Sequence, residues 1–253
     1  MSEWTRGEML AVAASSLVRD GDVAVVGLGL PQVAAVLAKR THAPNATLLL
    51  EIGVFEPAPT ESAMGIADPR LWEGCQAFGS MLDVLGAMLH GGRVTVGLLG
   101  ALEVDGGGSL NSTAVTGDDG RVRRFNGSGG ANDIASCAGR VLVVMQHHPR
   151  KFASALGFLT SPGHRVRGAS RAELGLAGAG TTAIVTDRAV IEISDDGPVL
   201  ASVHPGESVD AVRADTPLAL SVPAGGVTVT EAPTASQLVI VREELDPHGW
   251  YTP

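Results

Sequence analysis

Thr47-Leu-Leu-Leu-Glu51-Ile-Gly53 is the stretch on which the fold turns. Threonine, leucine and isoleucine in a short run, with no helically spaced partners, read as a buried strand of the parallel type. The run ends on a carboxylate. In an open α/β sheet, ligands sit beyond the carboxyl ends of the strands, so Glu51 stands where chemistry takes place. Gly53 lets the backbone turn sharply there, or lets a ligand approach closely. Taken alone, Glu51 is equally well the first exposed residue after a core strand.

Upstream, residues 5–18 carry Met9, Leu10, Val12, Ala13, Leu17 and Val18 as a helical stripe, and Thr5 with Glu8 has the S/T-x-x-E form of a capping box. Asp20-Gly-Asp22 is a turn, and Val23–Val26 is a short strand running into Gly27-Leu-Gly29-Leu-Pro31. Pro31 suits the first turn of a helix that continues from Gln32 to Arg40, with Val33, Val36 and Leu37 on one face. Helix, strand, helix, strand implies a parallel βαβ crossover. Gly27-Leu-Gly29 lacks the third glycine of G-x-G-x-x-G, so it reads as a structural turn rather than a nucleotide site.

Downstream, residues 54–78 are irregular and rich in Pro and Gly, as functional loops often are. Ser80–Leu89 reads as a helix with Met81, Leu82, Leu85, Met88 and Leu89 as its buried stripe, and Arg93–Leu99 is the next strand. Val104–Asn111 has the form of a hairpin leading into Ser112–Val115, and Val141–Met145 is a strongly apolar central strand. The adjacent His147 and His148 point to opposite faces of an extended segment, which argues for ordinary loop roles over a shared metal. Beyond residue 180, short strands dominate: Thr181–Val185, Ala189–Ile193, Val199–Val203 and Leu218–Val222, with a short helix over Ser208–Arg213 and a terminal element over 239–249. No repeat or charged linker divides the chain, so residues 1–253 read as a single domain.

Composition sets the outer limits. A length of 253 residues with 45% hydrophobic content supports a sizeable core, and 4% aromatics make that core mostly Ala, Val and Leu. A net charge of −9 argues against nucleic acid as a partner. Cys75 and Cys137 form neither a disulfide framework nor a metal-type spacing, and no metal site is predicted. The start, Met1-Ser-Glu-Trp, lacks the basic and apolar regions of a signal peptide. No segment approaches the roughly 18 apolar residues of a membrane span, so a cytoplasmic protein with no membrane partner is expected.

The second informative stretch is Phe125-Asn126-Gly127-Ser128-Gly129-Gly130-Ala131-Asn132-Asp133. Three glycines and a serine precede a helix start that Asn132 or Asp133 can cap. Such a loop presents unpaired N–H groups at the positive end of a helix dipole, where they can cradle a phosphate or stabilise an oxyanion on a thioester carbonyl. A tight turn also uses glycine, but Gly-x-Gly-Gly flanked by Asn and Asp is more than a turn requires.

Together, Glu51-Ile-Gly53 after a strand and Gly127-Ser-Gly-Gly-Ala-Asn-Asp133 resemble the family I CoA-transferases, specifically the B-type chains of the glutaconate kind. Thr41-His-Ala-Pro-Asn45, Val203-His-Pro-Gly206 and Asp246-Pro-His-Gly249 add to the likeness, which spans nearly the whole chain. The resemblance implies an α/β fold, an open and mostly parallel sheet flanked by helices with a more β-rich C-terminal part. It implies a beta subunit that works with an A-type partner, commonly as α2β2, on acyl-CoA and carboxylate substrates, with coenzyme A as substrate and no bound cofactor. Glu51 would be the catalytic nucleophile: its carboxylate attacks the acyl-CoA carbonyl, and released CoA thiolate then forms a glutamyl-CoA thioester. The nucleophile must be ionised, as a glutamate ordinarily is at neutral pH. Gly53, Asn126, Gly127, Ser128, Gly129, Gly130, Asn132 and Asp133 would bind substrate or CoA, or hold the oxyanion.

The 54–78 stretch would shape the acyl pocket or the partner interface, and its Glu56 and Glu61 are minor rivals to Glu51. Hydrolases and a decarboxylase share the family, the latter with the glutamate replaced; its presence here favours transfer. A non-catalytic acyl-CoA-binding subunit is the third reading.

Overall fold

The computed structural model describes residues 4–117 and 119–253; Met1–Glu3, where the reading for a signal peptide begins, and Asp118 lie outside the described residues. Strands β1 (Val23–Val26) and β2 (Thr47–Leu50) pair in parallel, with Val23 opposite Thr47. On the other side of β1 lies Val96–Leu99, followed by Arg140–Val144 and Thr181–Val185, all parallel. In chain order this parallel core runs 2-1-3-4-5, the doubly wound arrangement whose direction of travel reverses beside β1. Helix α2 (Leu30–Arg40) makes the crossover from β1 to β2, with Pro31 in its first turn.

The margins are mostly antiparallel, the exception being Thr228–Val229, which pairs in parallel with Gly197–Val203. The turn at Thr186-Asp-Arg188 is too short for a crossover, so Ala189–Ser194 and then Gly197–Val203 fold back as a meander. Thr228–Val229 closes that edge, while Val54–Phe55 and Ala77–Phe78 turn back beyond β2, giving ten strands in one mixed sheet among the described residues. The parallel centre and β-rich C-terminal part are therefore as expected.

Side chains alternate along each strand, and the two faces build two cores. Val26, Leu48, Leu50 and Leu142 pack under α1 (Arg6–Ser16), α2 and the final helix around Val241 and Leu245. Val25, Leu49 and Val143 pack under the Leu82–His90 helix, α3 (Ala131–Cys137) and Val209–Ala214. Thr5 caps α1 in the predicted box: its hydroxyl accepts from the Glu8 amide, and the Glu8 carboxylate accepts from the Thr5 amide. Ser208 caps Val209–Ala214 as read from the sequence.

Three expectations are corrected. Leu82–His90 is a π-helix, so residues five apart share a face. Val84 and Leu89 are buried there, whereas Met81 and Leu82, assigned to the buried stripe, are 52% and 79% exposed. Leu218–Val222 is not a strand. Pro217 and Pro223 bracket it, i→i+2 bonds at Leu218 and Leu220 coil it, and one bridge from Ser221 to Val199 is its contact with the sheet. The cap of α3 is the third and belongs with the site below. Among the described residues no helix is long and apolar enough to cross a membrane.

Candidate active site

Gly27, Glu51 and Gly100 each follow directly on a parallel strand, and a cavity of about 510 Å³ opens where those three ends meet. Alternation explains where the carboxylate goes. Leu48 and Leu50 point to the α1 and α2 side and Leu49 to the other, so Glu51 turns toward the face covered by α3. There the Gly130 N–H donates to Glu51 Oε2 at 2.7 Å.

The glycine-rich loop is shaped around that carboxylate. Gly127 and Gly129 lie in the left-handed region, at φ +83° and +48°, where a side chain is strained. Gly130 has an ordinary φ of −78° and is needed for a different reason: a Cβ on it would lie 2.3 Å from Glu51 Oε2. Helix α3 can come this close because Gly97, in the Val96–Leu99 strand, has no side chain; a Cβ there would sit 2.2 Å from Ile134 Cγ2. Ser112 Oγ donates to the Gly127 carbonyl at 2.9 Å and braces the loop from the far side.

The expected cap is different. Gly130 is the N-cap of α3, and the Asn132 amide is met by Ser128 Oγ at 3.1 Å. Neither Asn132 nor Asp133 caps, because the Asn132 side chain donates to the Thr160 carbonyl at 2.8 Å and Asp133 pairs with His90 at 2.9 Å.

Of the residues singled out in the sequence, Glu51, Asn126, Gly127, Ser128 and Gly129 line the cavity. Gly130 touches the carboxylate. Gly53, Asn132 and Asp133 stand off the wall. Gly53, at φ +102°, lets the chain turn after Glu51 and pass within 2.6 Å (from its ideal Cβ position) of the Gly79 carbonyl. Glu56 pairs with Lys39 and accepts from the Leu48 amide at 3.1 Å, and Glu61 pairs with Arg70 at 2.8 Å, so both rival carboxylates are engaged outside the cavity.

Sequence reasoning missed most of the wall. Gly27, read as a plain turn, lines the cavity, and so do Leu28, Ile66, Leu71 and Ser112. The position of Gly27 straight after a parallel strand was the available signal, and Ile66 and Leu71 fall within the 54–78 stretch expected to shape the pocket or the partner interface; Leu28 and Ser112 carry none. Glu51 is the one charged side chain among the lining residues.

Two other constellations are inert. Cys137 Sγ lies 3.6 Å from His90 Nδ1, whose other nitrogen meets Asp133. Burial, with the Asp133 carboxylate adding to it, pushes the Cys137 thiol above its ordinary range, the opposite of an activated thiolate. His147 is held by Thr186 at 3.0 Å and Thr216 at 3.1 Å, and burial, with Arg188 adding, lowers its pKa, so it stays a neutral structural residue. Among the described residues no group of three or more His, Cys, Asp or Glu side chains is placed to hold a metal ion.

Residues 7–215 match the family model described as Coenzyme A transferase. The B chain of the 3-oxoadipate CoA-transferase of Pseudomonas knackmussii is 37% identical over 245 residues, covering 96% of this chain and 94% of that one. The solved glutaconate coenzyme A-transferase of Acidaminococcus fermentans matches with a TM-score of 0.87 at 30% identity, over 100% of this chain and 98% of the other. The decarboxylase AibA/AibB matches with a TM-score of 0.82 at 25% identity, over 98% of both chains.

Proposed function

The chain belongs to the coenzyme A transferase family as a B-type subunit, and on that premise we propose that it moves CoA between an acyl-CoA and a carboxylic acid through a thioester on Glu51. One observation carries the reading: the Glu51 carboxylate sits on the wall of a cavity at the carboxyl ends of three parallel strands, with a backbone N–H bonded to it at 2.7 Å.

The chemistry follows from that placement. The Glu51 carboxylate adds to the acyl-CoA carbonyl and expels CoA thiolate, leaving a mixed anhydride. The thiolate adds to the glutamyl carbonyl and expels the donor's carboxylate, leaving the glutamyl-CoA thioester. An acceptor carboxylate runs the two steps in reverse and regenerates Glu51. The Gly130 N–H holds one carboxylate oxygen in the resting site and is aimed at the same oxygen when it becomes the oxyanion of each tetrahedral intermediate at Glu51. The lining around it is largely apolar, with Leu28, Ile66, Leu71 and Ile134 keeping the thioester from water. In the same reading the enzyme is cytoplasmic, pairs with an A-type subunit as α2β2, uses CoA as substrate and carries no bound cofactor. The relatives make 3-oxoadipyl-CoA and glutaconyl-CoA the first donors to try.

The test is intact mass of the two-chain complex after exposure to each donor, followed by borohydride. A CoA-sized adduct that maps to Glu51 and reduces to the alcohol is expected, and Glu51→Gln abolishes it with assembly intact. The fold shared with AibA/AibB raises decarboxylase or hydrolase chemistry as the other outcome. CoA release or CO₂ loss without an acceptor, and with no adduct, would establish it.

A further inference from the structure

The Asp246-Pro-His-Gly249 ending has no part in the chemistry above, yet its aspartate is among the most heavily bonded side chains in the molecule. The buried Asp246 carboxylate accepts from the amides of Trp250 (2.9 Å), Tyr251 (2.9 Å) and Thr252 (2.8 Å) and from the Thr252 hydroxyl (2.9 Å). Four donors on one carboxylate close the tail into a rigid turn. The turn is fastened to the start of α1: Thr5 Oγ1 donates to the Thr252 carbonyl at 2.9 Å, and Gly7 packs so tightly that a Cβ would fall 2.5 Å from Thr252 Cα.

From that anchor the tail reaches two walls of the cavity. The Tyr251 hydroxyl donates to the Ala63 carbonyl at 2.7 Å. Burial, with the Asp246 carboxylate adding to it, pushes the pKa of that hydroxyl up, so it remains a donor. The Tyr251 ring lies 3.3 Å from where Gly29 would carry a Cβ. Gly29 ends the turn whose Gly27 and Leu28 line the cavity, and Ala63 begins the segment whose Ile66 and Leu71 line it. The same segment meets the tail at three further points, one of them His248 Nε2 at 3.6 Å from Glu61 Oε1. The Ser62 amide donates to the Leu245 carbonyl at 2.8 Å, and the Trp250 ring lies 5.5 Å from the Arg70 guanidinium, which itself pairs with Asp68 and Glu61. Residues 61–72 have a turn at Gly65–Asp68 and a short 3₁₀ turn at Pro69–Trp72 but no strand or longer helix of their own, so contacts from outside determine where the segment sits.

We infer that the C-terminal turn is a strap that sets the shape of the substrate cavity, with Tyr251 as the positioning residue that joins its two walls. The inference rests on the reading of the cavity as the acyl-CoA site, not on Glu51 being the nucleophile. Tyr251 touches no reacting atom. Its effect falls on binding, through Ile66 and Leu71 on one wall and Leu28 on the other.

The experiment uses the assembled two-chain enzyme with Tyr251→Phe, which keeps the ring against Gly29 and removes the bond to Ala63, and Tyr251→Ala, which removes both. Hydrogen exchange of residues 61–72 should quicken roughly 2- to 12-fold in Tyr251→Phe, the range of one lost hydrogen bond, with β1 and β2 unchanged. The dissociation constant of 3-oxoadipyl-CoA, measured in a Glu51→Gln background where no turnover intrudes, should rise by a similar factor, and further in Tyr251→Ala. In the wild-type background kcat should stay within about twofold while KM rises. Unchanged exchange at 61–72, exchange quickened equally everywhere with a lowered Tm, or a fall in kcat at constant dissociation constant would each overturn the inference. Failure of the nucleophile reading is separate, because it shows as turnover by the Glu51→Gln enzyme itself.

Discussion

Gly130→Ala separates the approach of Glu51 to the glycine loop from the needs of the fold. Gly130 has φ −78° and ψ 0°, which alanine adopts freely, and the backbone entropy that alanine removes from the unfolded chain roughly offsets the poorer helix cap, so stability should change by no more than about 1 kcal/mol. The new methyl, however, would stand 2.3 Å from Glu51 Oε2 and 3.3 Å from Leu85 Cδ1. The carboxylate is the end of a flexible side chain and gives way by about 1 Å, the distance needed to reach ordinary contact. That displacement breaks the 2.7 Å bond from the Gly130 N–H. A hydrogen bond to a charged group contributes about 1.5–3 kcal/mol, which corresponds to a slowing of roughly 10- to 150-fold in formation of the thioester. The assay is single-turnover accumulation of the CoA adduct by intact mass, beside a thermal melt. Gly129→Ala is the contrasting variant: at φ +48° it should lose about 1 kcal/mol of stability through backbone strain. A Gly130→Ala enzyme that folds normally and forms the adduct within twofold of the wild-type rate would refute the reasoning.

Gly97→Ala should destabilise the fold by about 1–3 kcal/mol, because the added methyl meets Ile134 Cγ2 at 2.2 Å; denaturant midpoints should show Ile134→Ala relieving part of that cost, and simple additivity would contradict the packing argument. Asp22 supplies a pH test. Burial raises its pKa, but two hydrogen bonds from Arg140, one from the Thr95 hydroxyl and one from the Arg19 amide outweigh it and hold the carboxyl below its ordinary range. A lowered folded value means the stabilisation is present above the unfolded value of about 3.9 and lost as pH falls through the folded one. Asp22→Asn should therefore cost about 3 kcal/mol at pH 7, with the gap to wild type steady down to about pH 5 and closing below about pH 4; urea melts showing a constant gap to pH 3 would count against it.

Much of this molecule was legible in its residues. The capping box at Thr5 and Glu8, the proline at the start of α2, and the Val23–Val26 and Thr47–Leu50 strands are local signals, settled within a few positions of the chain, and the structure has them all. The meander beyond residue 180 was legible for the same reason, since its turns are too short for anything but antiparallel pairing. What misled was periodicity applied where the period differs. Met81 and Leu82 lie on an apolar stripe at 3.6 residues per turn, but in the π-helix these two residues face away from the core while Leu85, Met88 and Leu89 of the same stripe pack against it. Asn132 and Asp133 are good caps by residue type, yet each is taken by a partner distant in sequence, Thr160 and His90.

The sequence alone determined the parallel sheet, the placing of Glu51 at the end of a strand and the suspicion attached to Gly127–Gly130, because alternation, helix capping and glycine runs act over short range. Only the tertiary structure decided that Glu51 and Gly130, seventy-nine positions apart, meet through one hydrogen bond, and that Gly97, Ile66 and Tyr251 shape their surroundings. Those are contacts between strand ends, a helix start and a folded-back tail. They depend on the order in which strands are laid into the sheet and on how closely α3 lies against it, and no local pattern encodes either.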